Sequence, residues 1–325
     1  MSDLDRVVIL AGGLSHEREV SLRSGRRVLE ALRAVGVDAE LRDVDERLVG
    51  ELTASRPDVV LPLLHGATGE DGSVRDVLDL LGVPYVGALP AACRVAFAKP
   101  PAKALLRGAG AATPASVVLP QATFRDLGAP GVLRAVVEAF GLPLVVKPTL
   151  SGSALGCSVV HEPAELPSAM VDAYAYGDVA LLEHYVAGTE VAVSVVEGLD
   201  GDGEPRALPP VEIVPSSHLY DYQARYTAGE TEFFAPARLD DATTTAVQEL
   251  ALLAHRTLGL RDLSRTDCIV DADGVPQFLE VNVAPGMTET SLLPQAVVAA
   301  GLELGVVLRD LLQAAVVRGP HPAGS

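Results

Sequence analysis

The chain has 325 residues, more than one hydrophobic core comfortably spans, so two or three domains are expected. Acidic residues outnumber basic ones 43 to 25, and the formal net charge of −18 argues against nucleic acid as a partner. Gly, Pro or charge interrupts every apolar run well short of membrane-spanning length, which excludes a membrane protein of the helical kind. The N-terminal residues 1–6 lack a basic stretch followed by an apolar one, so no secretory signal is expected and a cytoplasmic location is. Cys93, Cys157 and Cys268 are odd in number, widely spaced and in apolar contexts. They read as buried small hydrophobes in a reducing compartment, not as disulfides or a zinc site.

In chain order, the apolar run at 7–10 predicts a strand, and the periodicity predicts a helix over 20–34. Between them lies Gly12-Gly13-Leu14-Ser15-His16-Glu17, a strand-to-helix loop. Its backbone N–H groups favour an anion, Glu17 would instead grip a cationic amine, and a tight turn alone also explains the glycines. Strands are expected at 39–41, 59–64 and 84–86, with a helix over 74–81. This alternation indicates a parallel sheet with helices on both faces. His65 opens a glycine-rich loop at a strand end, where such sheets place ligand contacts, while Glu70 and Asp71 read as caps of the next helix.

A helix started by Pro100 opens a second unit, with strands at 144–146 and 180–182. Lys147 ends the first of these strands, and the loop from Thr149 to Gly156 after it reads as a phosphate cover with N–H and hydroxyl donors. Glu183 to Val186 ends the other strand in a position able to line an adenine slot. A third unit begins with a strand at 190–196. The tyrosine-rich stretch 219–226 is either a packed surface loop or a lid, followed by a helix from Asp240. Residues 265–282 read as two short strands, 269–270 and 278–279, with Asp267 before the first and Glu280 and Asn282 leaving the second. Residues two apart on a strand share a face, so these three oxygen-bearing side chains suit a hard divalent cation such as Mg²⁺, and with it a nucleotide. Gly286 allows close backbone approach to a ligand, and Ser291 is expected to cap the first of two helices over 292–316.

Taken in this order, these motifs resemble the D-alanine–D-alanine ligases of the ATP-grasp superfamily, over residues 7–312. The resemblance is carried by Gly12-Gly13 with Ser15 and Glu17, His65 through Gly72, Lys147-Pro148, Gly152-Ser153 with Gly156, Tyr220 through Tyr226, Arg265 with Asp267, Glu280 with Asn282, and Pro285 through Leu292. It implies an α/β chain, α+β in its nucleotide-binding part, with three domains: a Rossmann-like one over 1–96, a central ATP-grasp subdomain over 97–187, and a C-terminal one over 188–325 bearing the lid and metal site. The implied activity is ATP-dependent joining of two D-alanine molecules through an acylphosphate, for peptidoglycan precursors. ATP would meet Lys99, Lys147, Ser153, Glu183, Tyr185, Val186, Glu190 and Arg225. Asp267, Glu280 and Asn282 would hold two Mg²⁺ ions, or Mn²⁺ in their place. The family pattern gives Glu17 the first amine and joins it to Ser153 and Tyr226; it gives His65 a substrate-side place. Arg265 and the Gly286 N–H would stabilise the tetrahedral oxyanion, and Ser291 with Leu292 would hold the second carboxylate. A homodimer is implied by the family alone.

The chain departs from the family pattern at several positions. Ala98 precedes Lys99 where Asp is usual, Ser151 replaces the flap glutamate, Ala154 replaces the second flap serine, and Arg225 stands for the lid lysine. Two other functions remain to be weighed: a paralogous ligase with a different D-amino or D-hydroxy acid as second substrate, and a nucleotide-binding relative without catalysis.

Overall fold

The first apolar run forms strand β1 (Val7–Ala11), buried at every position. The structure, a computed structural model, describes residues 4–199, 201, 203–216 and 229–322. β1 lies at the centre of a parallel sheet, between β2 (Ala39–Asp43) and β3 (Val59–Pro62). Because successive strand residues face opposite ways, Val7 and Ile9 enter one core and Val8 and Leu10 another. Helix α1 (Arg18–Ala34) supplies Val28 and Leu32 to the first core, and α2 (Leu48–Ser55) supplies Leu48 and Leu52 to the second. Full burial of such a side chain contributes about 1.5–3 kcal/mol. Then come α3 (Ala67–Glu70), α4 (Ser73–Leu81), α5 (Pro90–Phe97) and α6 (Lys99–Gly108).

The expected elements omit α2 and α5. Each is only eight residues long, and Gly50 and Thr53 weaken the helical signal of α2. The strand expected at 84–86 is reduced to one parallel bridge, Tyr85 to Val60.

The second sheet is antiparallel, in the order β4 (Ser116–Pro120), β7 (Val179–His184), β5 (Leu144–Pro148), β6 (Ser158–Val160). Helices α7 (Gln121–Leu127), α8 (Ala129–Phe140) and α9 (Leu166–Tyr174) belong to this unit, and Val136, Leu166 and Met170 fill its core with Leu144 and Leu182. In the third sheet, β8 (Thr189–Glu197) is flanked by β10 (Val211–Pro215), which carries β11 (Thr231–Phe234), and by the hairpin β12 (Leu263–Val270) with β13 (Pro276–Asn282). A short strand, β9 (Pro205–Ala207), also pairs with β8. The hairpin strands are longer than expected, so Asp267, Glu280 and Asn282 lie within them and not beside them.

Helix α10 (Asp241–Thr257) starts where expected: the Asp240 carboxylate accepts the Thr243 N–H at 2.7 Å, a cap worth about 1 kcal/mol. The chain closes with α11 (Leu292–Ala299) and α12 (Leu304–Arg318). Helix α12 packs on α1 and β3, so the end of the chain covers its first sheet. Gly305 permits that approach, since a Cβ there would collide with the Ala31 carbonyl. No single helix among the described residues is long and apolar enough to cross a membrane.

Candidate active site

The β12–β13 register places Arg265 opposite Asn282 and Asp267 opposite Glu280. Between Asp267 and Cys268 the register shifts, so Cys268 pairs with Phe278 and Leu279 is the extra residue. Such a bulge re-aims side chains. Leu279 and Glu280 consequently line the same cavity, with Asp267 and Ile269, while Cys268, Phe278 and Val281 point into the core beneath α10. Local alternation alone would have sent Leu279 and Glu280 to opposite faces.

Two spaces meet along this hairpin. The larger is a cavity of about 430 Å³ between the second and third sheets, of the size that holds a nucleoside. Lys147, Glu183, Tyr185, Val186, Glu190 and Asp267 line it. The smaller cleft lies toward the N-terminal sheet. Glu17, His65, Ser153, Arg265, Asn282, Gly286, Ser291 and Leu292 line it. Lys99 and Glu280 line both spaces, as does Ser151. Tyr226 and Arg225 lie outside the described residues.

Electrostatics explain how so acidic a chain can receive anions. Lys99, Lys103, Lys147 and Arg265 are all buried around these spaces. Lys99 Nζ reaches Glu280 Oε2 at 3.0 Å and donates to the Ser151 carbonyl at 2.7 Å. Arg265 grips both oxygens of Asp267, Nε and Nη2 each at 2.7 Å, in the fork geometry open to a guanidinium. Glu183 is held between Lys103 and Lys147. Burial opposes the Lys147 charge, but the Glu183 carboxylate beside it raises its pKa above the ordinary lysine value.

Glu17 immediately precedes α1, and its buried carboxylate accepts the Ser153 hydroxyl from the flap. Ser153 and Ala154 both take left-handed backbone angles, φ +50° and +55°, which non-glycine residues adopt only at a cost. The Glu17–Ser153 bond helps hold that conformation.

His65 connects the N-terminal unit to the loop after β13. Its Nδ1 lies 3.1 Å from the Ala284 carbonyl and its Nε2 lies 3.3 Å from Ser24 Oγ, which itself accepts the Met287 N–H at 3.1 Å. The network assigns the proton to Nδ1, so the chain of donors runs from Met287 N–H through Ser24 and His65 to the Ala284 carbonyl. Arg27 adds bonds to the carbonyls of Met287 and Thr288. The backbone on both sides of Gly286 is thus fixed by Ser24, Arg27 and His65, and both ring nitrogens of His65 are engaged by protein groups. Gly286 itself needs its missing side chain, because a Cβ would sit 2.7 Å from Ser291 Oγ.

Ser291 stands at the cap position of α11 but makes no side-chain cap bond. Its hydroxyl accepts the Thr288 N–H at 2.9 Å and meets Thr288 Oγ1 at 2.8 Å. The expected cap is therefore absent, because the hydroxyl closes the preceding turn instead.

Sequence reasoning passed over Lys103, Ser24 and Arg27, and read Glu70 only as a helix cap. Glu70 does not cap the following helix: it is buried in the smaller cleft and accepts the Gly66 N–H at 2.9 Å, while Asp71 accepts the Ser73 N–H at 2.8 Å. Lys103 could have been found from its spacing, four residues after Lys99 on one helix face. Cys157, expected in a core, lines the larger cavity, whereas Cys93 and Cys268 are buried as expected.

Burial and the neighbouring Glu17 push the Glu70 carboxyl up to about 8, while burial pushes the His65 imidazole down to about 4. The two act on stability with opposite signs. For His65 the unfolded chain binds more protons between about pH 4 and 6.5, so its contribution grows as pH rises through that window. For Glu70 the folded chain binds more protons between about pH 4.5 and 8, so its contribution is lost as pH rises there. Glu70→Gln is therefore expected to steepen the rise of unfolding free energy from pH 4 to 6.5, and His65→Gln to expose a fall from pH 4.5 to 8. Each slope is at most about 1.4 kcal/mol per pH unit. Urea unfolding across pH checks this; slopes matching the unsubstituted chain in both variants would refute the two assignments.

Comparisons with known proteins bear on the whole chain. A family model described as D-ala D-ala ligase C-terminus matches residues 105–313, and one described as D-ala D-ala ligase N-terminus matches residues 39–88. A curated D-alanine–D-alanine ligase of Anaeromyxobacter dehalogenans is 45% identical over 92% of either chain. One of Pelotomaculum thermopropionicum is 38% identical over 96% of either chain. Among solved structures, the VanG D-Ala:D-Ser ligase of Enterococcus faecalis superposes with a TM-score of 0.80 at 26% identity, covering 96% of this chain and 100% of its own. The D-alanine–D-alanine ligase of Bacillus anthracis complexed with ATP gives 0.79 at 28% identity, covering 98% of each chain.

Proposed function

The chain belongs to the D-alanine–D-alanine ligase family, and from that premise we propose how its residues divide the work. It is an ATP-dependent ligase that joins two D-alanine molecules, a product used in peptidoglycan synthesis. The observation that carries the residue assignment is the junction of the two spaces at Lys99 and Glu280, where a nucleotide phosphate and an amino-acid carboxylate can meet.

ATP occupies the larger cavity, its base toward Tyr185 and Val186, its ribose near Glu190, and its phosphates toward Lys147 and Lys99. The lid Arg225 joins them on the transferred phosphate. The first D-alanine lies in the smaller cleft with its ammonium at Glu17, beneath the Ser153 flap. Its carboxylate oxygen attacks the γ-phosphorus, the bond to the β-phosphate breaks, and ADP departs from an acylphosphate. The second D-alanine sets its carboxylate against the N–H groups at Ser291 and Leu292. Its amine, once deprotonated, attacks the acyl carbon, and the oxyanion that forms is stabilised by Arg265 and the Gly286 N–H. Collapse expels phosphate and leaves the amide. Closure of the flap keeps water from the acylphosphate.

The donor chemistry at the hairpin suits magnesium: two carboxylates and one amide oxygen in register, with substrate phosphates to complete the shell. In the structure these oxygens are met by protein groups, Asp267 by Arg265, Glu280 by Lys99 and Asn282 Oδ1 by the Ala284 N–H at 2.9 Å, and a metal would share or displace those contacts. Two Mg²⁺ ions there, or Mn²⁺, would neutralise charge on the phosphates during transfer. The same reading takes the chain as three domains over 1–96, 97–187 and 188–325, as a homodimer, and as cytoplasmic.

D-alanine is favoured as second substrate because the curated relatives at 38–45% identity over nearly the whole chain are ligases for it. Turnover of ATP with D-alanine alone, then with D-serine or D-lactate added, is expected to give D-alanyl-D-alanine by mass as the main product in every mixture. A mixed product predominating at equal concentrations would overturn the substrate assignment.

A further inference from the structure

Lys103 lies one helical turn beyond Lys99 on α6 and is 1% exposed. Its Nζ stands 2.5 Å from Glu183 Oε2, while Lys147 Nζ meets the other oxygen of the same carboxylate. One buried carboxylate therefore faces two buried ammonium groups. Glu183 and Lys147 line the nucleotide cavity, and Lys103 does not.

Two positive charges and one negative leave one positive charge in the cluster, and only Lys147 among the lysines presents it to the cavity. We propose that Lys103 is a positioning residue for the nucleotide: by neutralising Glu183 from behind, it leaves the Lys147 charge available to phosphate oxygens. The inference rests on the reading of Lys147 as a phosphate contact. Without Lys103, Glu183 and Lys147 would form a closed neutral pair whose field at the phosphates largely cancels, and buried charges are strong enough for this to matter.

The surroundings support that role. Arg107 on α6 acts on Lys103, while Glu280 from β13 and Cys157 beyond the flap act on Lys147. Burial pushes the Lys103 ammonium down to about 8 against the pull of Glu183, with Lys147 lowering it further. Below that pH the cluster keeps its surplus charge; above it the surplus is lost. Removing Lys103 leaves a buried neutral pair, so the fold has no unpaired charge to accommodate.

The test measures KM for ATP and for D-alanine on the full chain between about pH 7 and 9.5, together with thermal unfolding. Lys103→Met is expected to raise the ATP KM at pH 7 roughly tenfold, as for loss of one charge-assisted contact. Its D-alanine KM should stay within about twofold, and its unfolding temperature should be retained, outcomes that a merely structural role would not combine. In the unsubstituted enzyme the ATP KM should climb toward the Lys103→Met value as pH passes about 8, while the variant stays flat. Lys103→Arg should keep the low value at pH 7 and abolish the climb. A folded Lys103→Met enzyme with unchanged ATP KM overturns the inference, and so does an alkaline climb that persists in Lys103→Arg. Should Lys103→Met not fold, a flat profile in the unsubstituted enzyme overturns it equally. Lys147→Met separates the two levels: an unchanged ATP KM there overturns the phosphate reading itself, whereas a raised one beside an unchanged Lys103→Met overturns this inference alone.

Discussion

Replacing Arg265 with Met is expected to slow dipeptide formation on the order of a thousandfold, with the loss in kcat and not in the KM for ATP. Arg265 and Lys99 are the only cations lining the smaller cleft among the described residues, and Lys99 is already committed to Glu280 and the Ser151 carbonyl. Arg265 is held by Asp267 through Nε and Nη2, and that fork fixes its delocalised charge in the cleft wall where an acyl oxygen becomes negative. Met keeps the unbranched apolar stem of the side chain and removes the charged head. It also leaves Asp267, only 3% exposed, without its forked partner, and breaking a buried pair in this way costs about 3–5 kcal/mol. The rate must accordingly be read on protein whose unfolding midpoint remains above the assay temperature. Arg265→Lys separates the contributions: it keeps the charge but loses the fork, so it should fall between the two. A folded Arg265→Met enzyme within about fivefold of the unsubstituted kcat would falsify the oxyanion assignment.

Asp267→Asn is expected to lower turnover at least about a hundredfold and to raise the magnesium concentration needed for half-maximal rate. The substitution is nearly isosteric and keeps one acceptor oxygen for Arg265, so the 2.7 Å contact from Nε or Nη2 can persist in part. What disappears is a formal negative charge at a position that faces Glu280 across the hairpin. A hard divalent cation depends on that charge more than on the oxygen itself. ADP release measured across a magnesium titration distinguishes this from general damage, which would lower the plateau without moving the midpoint. If D-alanine-dependent ATP hydrolysis in Asp267→Asn matches the unsubstituted enzyme at every magnesium concentration, Asp267 is not a metal ligand.

Much of the site was legible in the chain because its signals are local. A lysine ending a buried strand, glycine and serine directly after it, and acidic residues on a short hairpin are each defined within a few neighbours. The parallel sheet followed from alternating apolar runs for the same reason. The errors were local too. The hairpin strands extend farther than their apolar centres, since Asp267 and Glu280 remain in the ladder when charged partners meet them. Ser291 was expected to cap α11, and only the neighbouring Thr288 diverts its hydroxyl. The bulge at Leu279 leaves no mark in composition, yet it decides which side chains line the nucleotide cavity.

The alternation of strands and helices in the first unit and the placing of Lys147 at a strand end were determined by the sequence itself, through periods of two and 3.6 residues and through chain-order motifs. Only the tertiary structure decided which charges meet. Glu183 lies between Lys103 and Lys147, His65 closes on Ala284 and Ser24, and Glu17 takes the Ser153 hydroxyl, across separations of 36 to 219 residues. Those partners are chosen by how three sheets and their helices pack, and burial then fixes the outcome, because a charge or hydrogen-bonding group removed from water must find its complement in whatever element lies against it.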